Sequence, residues 1–208
     1  IRHEIDTGVR EIGLKEYGFD EDKKTLLLFG GSQGSLALNQ MMDKMVTYLS
    51  ISSIQIIWQT GKHFFNAYNH HENDNIRIVP FIDNMANAYA SSDLVISRAG
   101  AITCSELTVC GKPSILIPFP AAAGNHQEKN AKALADNGAS IIINEDKVIP
   151  DELSSLILNI RHFRFILPNS IIPIGSLEFI YYSTIILSFI LKSIILYFSK
   201  SLLFKSCT

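Results

Sequence analysis

The sequence predicts an α/β fold built on a doubly wound parallel sheet, and three observations carry that reading. Six short runs of aliphatic and β-branched residues recur along the chain, at 25–29, 54–58, 76–79, 93–96, 114–117 and 139–143. Stretches of helical periodicity separate them, as right-handed strand–helix–strand crossovers require. The runs are apolar almost throughout, the pattern of strands covered by helices on both faces. Such sheets bind ligands outside the carboxyl ends of their strands, so function is expected in the loop after each run.

In chain order, residues 1–24 are polar and punctuated by Gly8, Gly13 and Gly18. They read as a linker from a preceding domain, with at most a short helix over 9–17. Asp20 to Lys24 is a charged run expected as a solvated turn. The first strand, Thr25–Phe29, leads at once into Gly30-Gly31-Ser32-Gln33-Gly34. Helical spacing of Leu38, Met41, Met42, Met45 and Leu49 then predicts a helix over 35–49. Further helices are expected over 62–69 and 85–90. The fourth strand runs into a tight turn, Ala99-Gly100-Ala101, and a helix that ends at Gly111 before Pro113. Pro118 and Pro120 close the fifth strand, a helix over 126–137 stops at Gly138, and Asp151 caps a last helix over 151–160.

The chain has 208 residues, room for one sizeable domain (25–160) and an appendage. With 18 basic and 20 acidic residues the net charge is −2, which excludes a nucleic-acid footprint. Cys104, Cys110 and Cys207 have neither C-x-x-C spacing nor a disulfide framework, which fits a reducing cytosol. The chain opens Ile1-Arg2-His3 without an initiator Met or a signal-peptide pattern, and is expected to start inside a longer protein or to come from a truncated gene. The tail, 161–208, departs from the rest. Glu178 is its one acidic residue, and 179–198 is a largely apolar run holding only Lys192 as a charge, long enough to cross a bilayer. It reads as a membrane anchor, as a covering element, or as out-of-frame translation of AT-rich DNA, the reading its Ile/Leu/Phe/Ser/Tyr/Lys composition fits best.

Four loops carry candidate chemistry. In the first, two glycines allow a tight turn, and Ser32 either donates to a phosphate or caps the next helix. No Lys-Ser/Thr follows Gly34, so it is not a Walker A loop. In the second, Pro80-Phe81-Ile82-Asp83, the Ile82 backbone offers a donor and an acceptor to a pyrimidine edge, or else Ile82 is core and Asp83 a helix cap. In the third, the helix after the Ala99-Gly100-Ala101 turn aims free N–H groups and its positive dipole end at the turn, which suits a diphosphate. Glu106 lies one helical turn past Thr103, where a carboxylate can accept from two ribose hydroxyls. In the fourth, Gln127 and Asn130 share a helix face, as readers of sugar hydroxyls or as ordinary surface polarity.

His70-His71-Glu72 lacks the helical or hairpin ligand spacing of a metal site, so no metal is expected there. Neither a Ser-His-Asp nor a Cys-His arrangement is visible, and no paired carboxylates mark a cleft. The loops suggest a domain that holds a nucleotide rather than one that moves a proton.

Taken together, Gly-Gly-Ser-Gln-Gly at 30–34, Phe-Ile-Asp at 81–83, Ser-Arg-Ala-Gly-Ala-Ile-Thr-Cys-Ser-Glu-Leu at 97–107 and His-Gln-Glu-Lys-Asn-Ala at 126–131 resemble the MurG family. Its members are N-acetylglucosaminyltransferases of peptidoglycan synthesis. The resemblance covers roughly residues 1–160 and implies the Rossmann-like C-terminal, donor-binding half of a GT-B glycosyltransferase. It implies that Ile82 contacts uracil through its backbone and Glu106 the ribose. Ser32 with Ala101, Ile102 and Thr103 takes the diphosphate, Gln127 and Asn130 read N-acetylglucosamine, and Arg2 lies near the donor. The implied reaction is inverting transfer from UDP-N-acetylglucosamine to a lipid-linked muramyl-pentapeptide, with no cofactor and no obligatory metal, at the inner face of the cell membrane. The acceptor site and catalytic base are expected in an N-terminal domain that this chain lacks, leaving it inactive alone. Two other readings are a donor subunit of a two-chain transferase and a non-catalytic nucleotide-sugar-binding module at a membrane.

Overall fold

The computed structural model describes residues 4–159. Six strands, β1 (Lys24–Phe29), β2 (Ile54–Gln59), β3 (Ile76–Val79), β4 (Leu94–Ser97), β5 (Ser114–Leu116) and β6 (Ser140–Ile142), form one sheet in the order β3-β2-β1-β4-β5-β6. Every neighbouring pair is parallel. The helices are α1 (Arg10–Tyr17), α2 (Leu36–Ser50), α3 (Phe65–Tyr68), α4 (Met85–Ser91), α5 (Ala101–Val109), α6 (His126–Ala135) and α7 (Pro150–Asn159). The α/β expectation holds, strand for strand.

Side-chain alternation along β1 divides the core into two layers. Leu26 and Leu28 join Leu38, Met42 and Leu49 of α2 and Leu153 and Ile157 of α7 on one face. Leu27 and Phe29 join Leu14 of α1, Met85 and Tyr89 of α4, Leu107 of α5 and Ala131 of α6 on the other. Both faces of the sheet are covered, which is why its strands read as continuous apolar runs.

The stretch before β1 is more than a connecting segment. Ile5, Leu14, Tyr17 and Phe19 are buried, and α1 packs on α4. Arg10 donates to the Ser91 carbonyl at 2.7 Å and meets Asp93 at 3.2 Å. These apolar residues are too scattered among polar ones to reveal a packed face by pattern. Asp93, expected as the first residue of β4, lies just before it and ties together the amino ends of two strands. Its carboxylate accepts from the Thr25 N–H and the Lys24 ammonium, both at 2.9 Å. Burial alone would raise its pKa, but the Thr25 N–H, Lys24 and Arg10 together hold it below the usual carboxylate value.

Other boundaries move for local reasons. The helix expected over 62–69 shrinks to α3, because the chain tightens into a 3₁₀ turn at Asn69–His71. The last helix starts at Pro150, a residue whose fixed φ and missing N–H suit a first turn, so Asp151 sits inside that turn rather than capping it. Among the described residues no helix is long and apolar enough to cross a membrane. The apolar run at 179–198 lies outside them.

Candidate functional site

The strand order reverses direction between β1 and β4, whose following helices, α2 and α5, cover opposite faces of the sheet. The crevice opened at that point is where a doubly wound sheet receives its ligand. Its two walls are the Gly30–Gly34 loop and the Ala99–Ala101 turn.

The glycine loop turns back on itself, the Gly34 N–H donating to the Gly31 carbonyl at 3.0 Å. Gly34 sits at φ 79°, with its Cα face against the loop after β2, where a Cβ would lie 2.0 Å from the Thr60 oxygen. Ser35, not Ser32, caps α2 by accepting from the Leu38 N–H at 3.4 Å. Ser32 is exposed in the turn, which removes capping as its role.

Opposite it, α5 begins at Ala101 directly from Gly100, with no side chain capping the helix. The first intrahelical bond runs from the Cys104 N–H to the Gly100 carbonyl. The N–H groups of Ala101, Ile102 and Thr103 therefore end the helix as unbonded donors at its positive pole. Ala101 and Ile102 are exposed and Thr103 half-buried. An uncapped helix start beside a glycine turn is suited to a phosphate group.

Glu106 does not stand open in this crevice as its position one turn past Thr103 led us to expect. It is 2% exposed and accepts a hydrogen bond from the Tyr89 hydroxyl at 3.3 Å, because α4 and α5 lie on the same face of the sheet. Ile82 is likewise 3% exposed. Its N–H donates to Gln59 Oε1 at 3.1 Å, so the carbonyl is the part of its backbone left for a base. Asp83 is not the cap of α4: Asn84 is, accepting from the Asn87 N–H at 3.0 Å.

Gln127 and Asn130 both point at the carboxyl edge of the sheet. Gln127 Oε1 accepts from the Phe119 N–H at 2.9 Å, and Asn130 Nδ2 donates to the Ala99 carbonyl at 3.0 Å. The Gln127 amide keeps its N–H donors and the Asn130 amide keeps its carbonyl acceptor for a ligand. His126 is exposed, its Nδ1 2.7 Å from the Ala123 carbonyl. Arg2 lies outside the described residues.

Two residues that spacing does not single out hold the site together. Gln59, at the end of β2, receives the Ile82 N–H and donates to the Gly31 carbonyl at 2.8 Å, linking two of the loops. Arg98, just past β4, is 8% exposed. Its guanidinium donates to the Ile117 and Pro118 carbonyls at 3.1 and 3.2 Å, to Ser35 Oγ at 2.9 Å, and pairs with Glu145. It also lies over the Phe119 ring at 5.4 Å. The available signal was its place: a charged residue directly after a buried strand must find partners.

Residues 25–167 match the glycosyltransferase family 28 C-terminal domain. The chain is 46% identical over 148 residues to the UDP-N-acetylglucosamine--N-acetylmuramyl-(pentapeptide) pyrophosphoryl-undecaprenol N-acetylglucosamine transferase of Thermodesulfovibrio yellowstonii, covering 69% of this chain and 40% of that one. It is 40% identical over 140 residues to the transferase of the same name from Christiangramia forsetii, covering 67% and 38%. Among solved structures it resembles MurG of Acinetobacter baumannii, with TM-score 0.63, 32% identity, and coverage of 76% of this chain and 46% of that one. The chain thus spans about two fifths of the length of these curated relatives. The family match, the six-stranded sheet and the likeness to MurG agree: this chain belongs to glycosyltransferase family 28, as its C-terminal domain.

Proposed function

We propose that this domain binds UDP-N-acetylglucosamine and serves as the donor half of the transferase that adds N-acetylglucosamine to a lipid-linked muramyl-pentapeptide. The observation that carries the reading is the uncapped start of α5 facing the Gly30–Gly34 turn, inside a sequence that keeps 40–46% identity to relatives of that name. The diphosphate lies against the Ala101, Ile102 and Thr103 N–H groups and Ser32. The same donors hold the charge that grows on the leaving uridine diphosphate as the muramyl C4 hydroxyl attacks the anomeric carbon with inversion.

The remaining contacts follow the loops. Uracil takes the Ile82 carbonyl, and the ribose hydroxyls reach the Glu106 carboxylate beside the Tyr89 hydroxyl. Gln127 donates to the sugar and Asn130 accepts from it. The acceptor site and the base belong to the family's other domain, so the donor domain by itself binds UDP-N-acetylglucosamine without turning it over. The protein works at the cytoplasmic face of the membrane, where its lipid-linked acceptor resides.

Calorimetric titration of the full chain with UDP, ADP and UDP-N-acetylglucosamine tests this. The reading expects UDP to bind at least about tenfold more tightly than ADP, one well-placed base contact being worth about 1.4 kcal/mol. Equal affinities for the two nucleotides would overturn it.

A further inference from the structure

On the face of the sheet covered by α2, the fold assembles a cluster unrelated to the nucleotide crevice. Asp43 of α2, together with His70 and His71 of the 3₁₀ turn after α3, presents one ligand atom each, all within 4.8 Å of one another. His71 Nε2 is 2.7 Å from Asp43 Oδ1, although the two residues are 28 apart in sequence. The two imidazole rings lie side by side, centroids 3.9 Å apart and inclined by 41°.

The support behind His71 is buried. Its ring stacks on Trp58 at 6.1 Å and 25°, and Trp58 is fully buried, its Nε1–H donating to Asn39 Oδ1 at 2.9 Å. Tyr68 packs on the same indole at 5.2 Å. The coordinating edge of His71 is thereby aimed at Asp43, while Asp43 and His70 remain exposed and free to adjust.

We propose that Asp43, His70 and His71 bind a late first-row divalent cation (zinc, nickel or copper) that clips α2 to the connection between β2 and β3. Two imidazoles and one carboxylate suit these ions rather than calcium or magnesium, which take oxygen ligands. Metal–ligand distances of about 2.0–2.1 Å place tetrahedral ligands about 3.4 Å apart, so rotations of the two exposed side chains by on the order of 1 Å close the site. Solvent supplies the fourth ligand on the open side. Spacing along the chain does not bring Asp43 beside the two histidines, because it comes from α2, 28 residues before His71.

Trp58 is the chain's single tryptophan and reports on the site directly. Full-length protein without a polyhistidine tag is titrated with Ni²⁺ while indole fluorescence is followed, and with Zn²⁺ while the melting temperature is followed. The proposal expects saturable one-to-one quenching by Ni²⁺ that Zn²⁺ or a chelator reverses. It expects Zn²⁺ to raise the melting temperature by roughly 3 °C or more. His70→Ala, at an exposed position that leaves the core intact, and His71→Gln each weaken binding by roughly tenfold or more. Quenching that does not saturate, that is unchanged in both variants, or that comes with no thermal shift from Zn²⁺ overturns the proposal and leaves an Asp43–His71 hydrogen bond only.

Discussion

The Arg98 guanidinium donates to Ser35 Oγ at 2.9 Å, so the residue that follows β4 holds the residue that caps α2. The two walls of the candidate crevice are thereby fastened to each other by one side chain, which also reaches the loops after β5 and β6 through Pro118 and Glu145.

Replacing Arg98 with Met removes that fastening and leaves several buried acceptors and Glu145 without their donor. The variant is expected to lose about 2–4 kcal/mol of stability, seen as a lower urea midpoint. Arg98→Lys, with one ammonium for a fork of donors, recovers only part of the loss. A midpoint unchanged in Arg98→Met would contradict the role given to the residue.

Gly31 and Gly34 offer a paired test in one loop. Both have positive φ, 89° and 79°, but a Cβ at Gly31 meets nothing within 4 Å whereas one at Gly34 strikes the Thr60 carbonyl. Gly31→Ala is expected to cost about 1 kcal/mol, from backbone strain alone. Gly34→Ala costs about 3 kcal/mol or more because the loop after β2 must also move. Chemical denaturation of the two variants side by side checks the difference.

Glu106→Gln separates donor binding from folding. The amide still accepts from the Tyr89 hydroxyl, and the melting temperature, measured beside the affinity, reports any cost to folding. On the proposed role, UDP affinity is expected to fall by about tenfold, a charged acceptor for ribose hydroxyls being replaced by a neutral one. Unchanged UDP affinity by calorimetry would remove Glu106 from the site.

Asp93 governs part of the acid response. Its folded pKa lies below its unfolded one, so its contribution is complete at neutral pH and disappears as pH falls below about 4 and through the folded value. Urea midpoints measured between pH 2 and 7 are expected to decline over that window. Asp93→Asn should be less stable at neutral pH and show a shallower decline.

Cys104 is buried in the core layer that also holds Tyr89 and Val95, and burial pushes its thiol up to about 11. At pH 8 only about one molecule in a thousand carries the thiolate. A thiol-specific reagent is therefore expected to leave Cys104 unmodified in native protein and to label it after denaturation, as read by peptide mass mapping.

Much of the fold was legible from local pattern. The run Leu26-Leu27-Leu28-Phe29 announces a strand buried on both faces, and the spacing of Leu38, Met42, Met45 and Leu49 announces α2. The glycines at 30, 31 and 34 mark a turn at the carboxyl edge of the sheet. These signals are short-range because backbone conformation and the alternation of faces repeat within a few residues.

Tertiary structure decided which side chains meet. Gln59 reaches Ile82 and Gly31, Arg98 reaches Ser35 and Glu145, and Asp43 meets His71, each across 20 or more residues of chain. The strand order β3-β2-β1-β4-β5-β6 brings the loops that hold Gly31, Gln59, Ile82, Arg98 and Glu145 to one edge, and periodicity along the chain contains no information about that order. The burial of Glu106 has the same origin: its helix is evident in the sequence, but the Tyr89 hydroxyl arrives from α4 only once both helices lie on one face of the sheet.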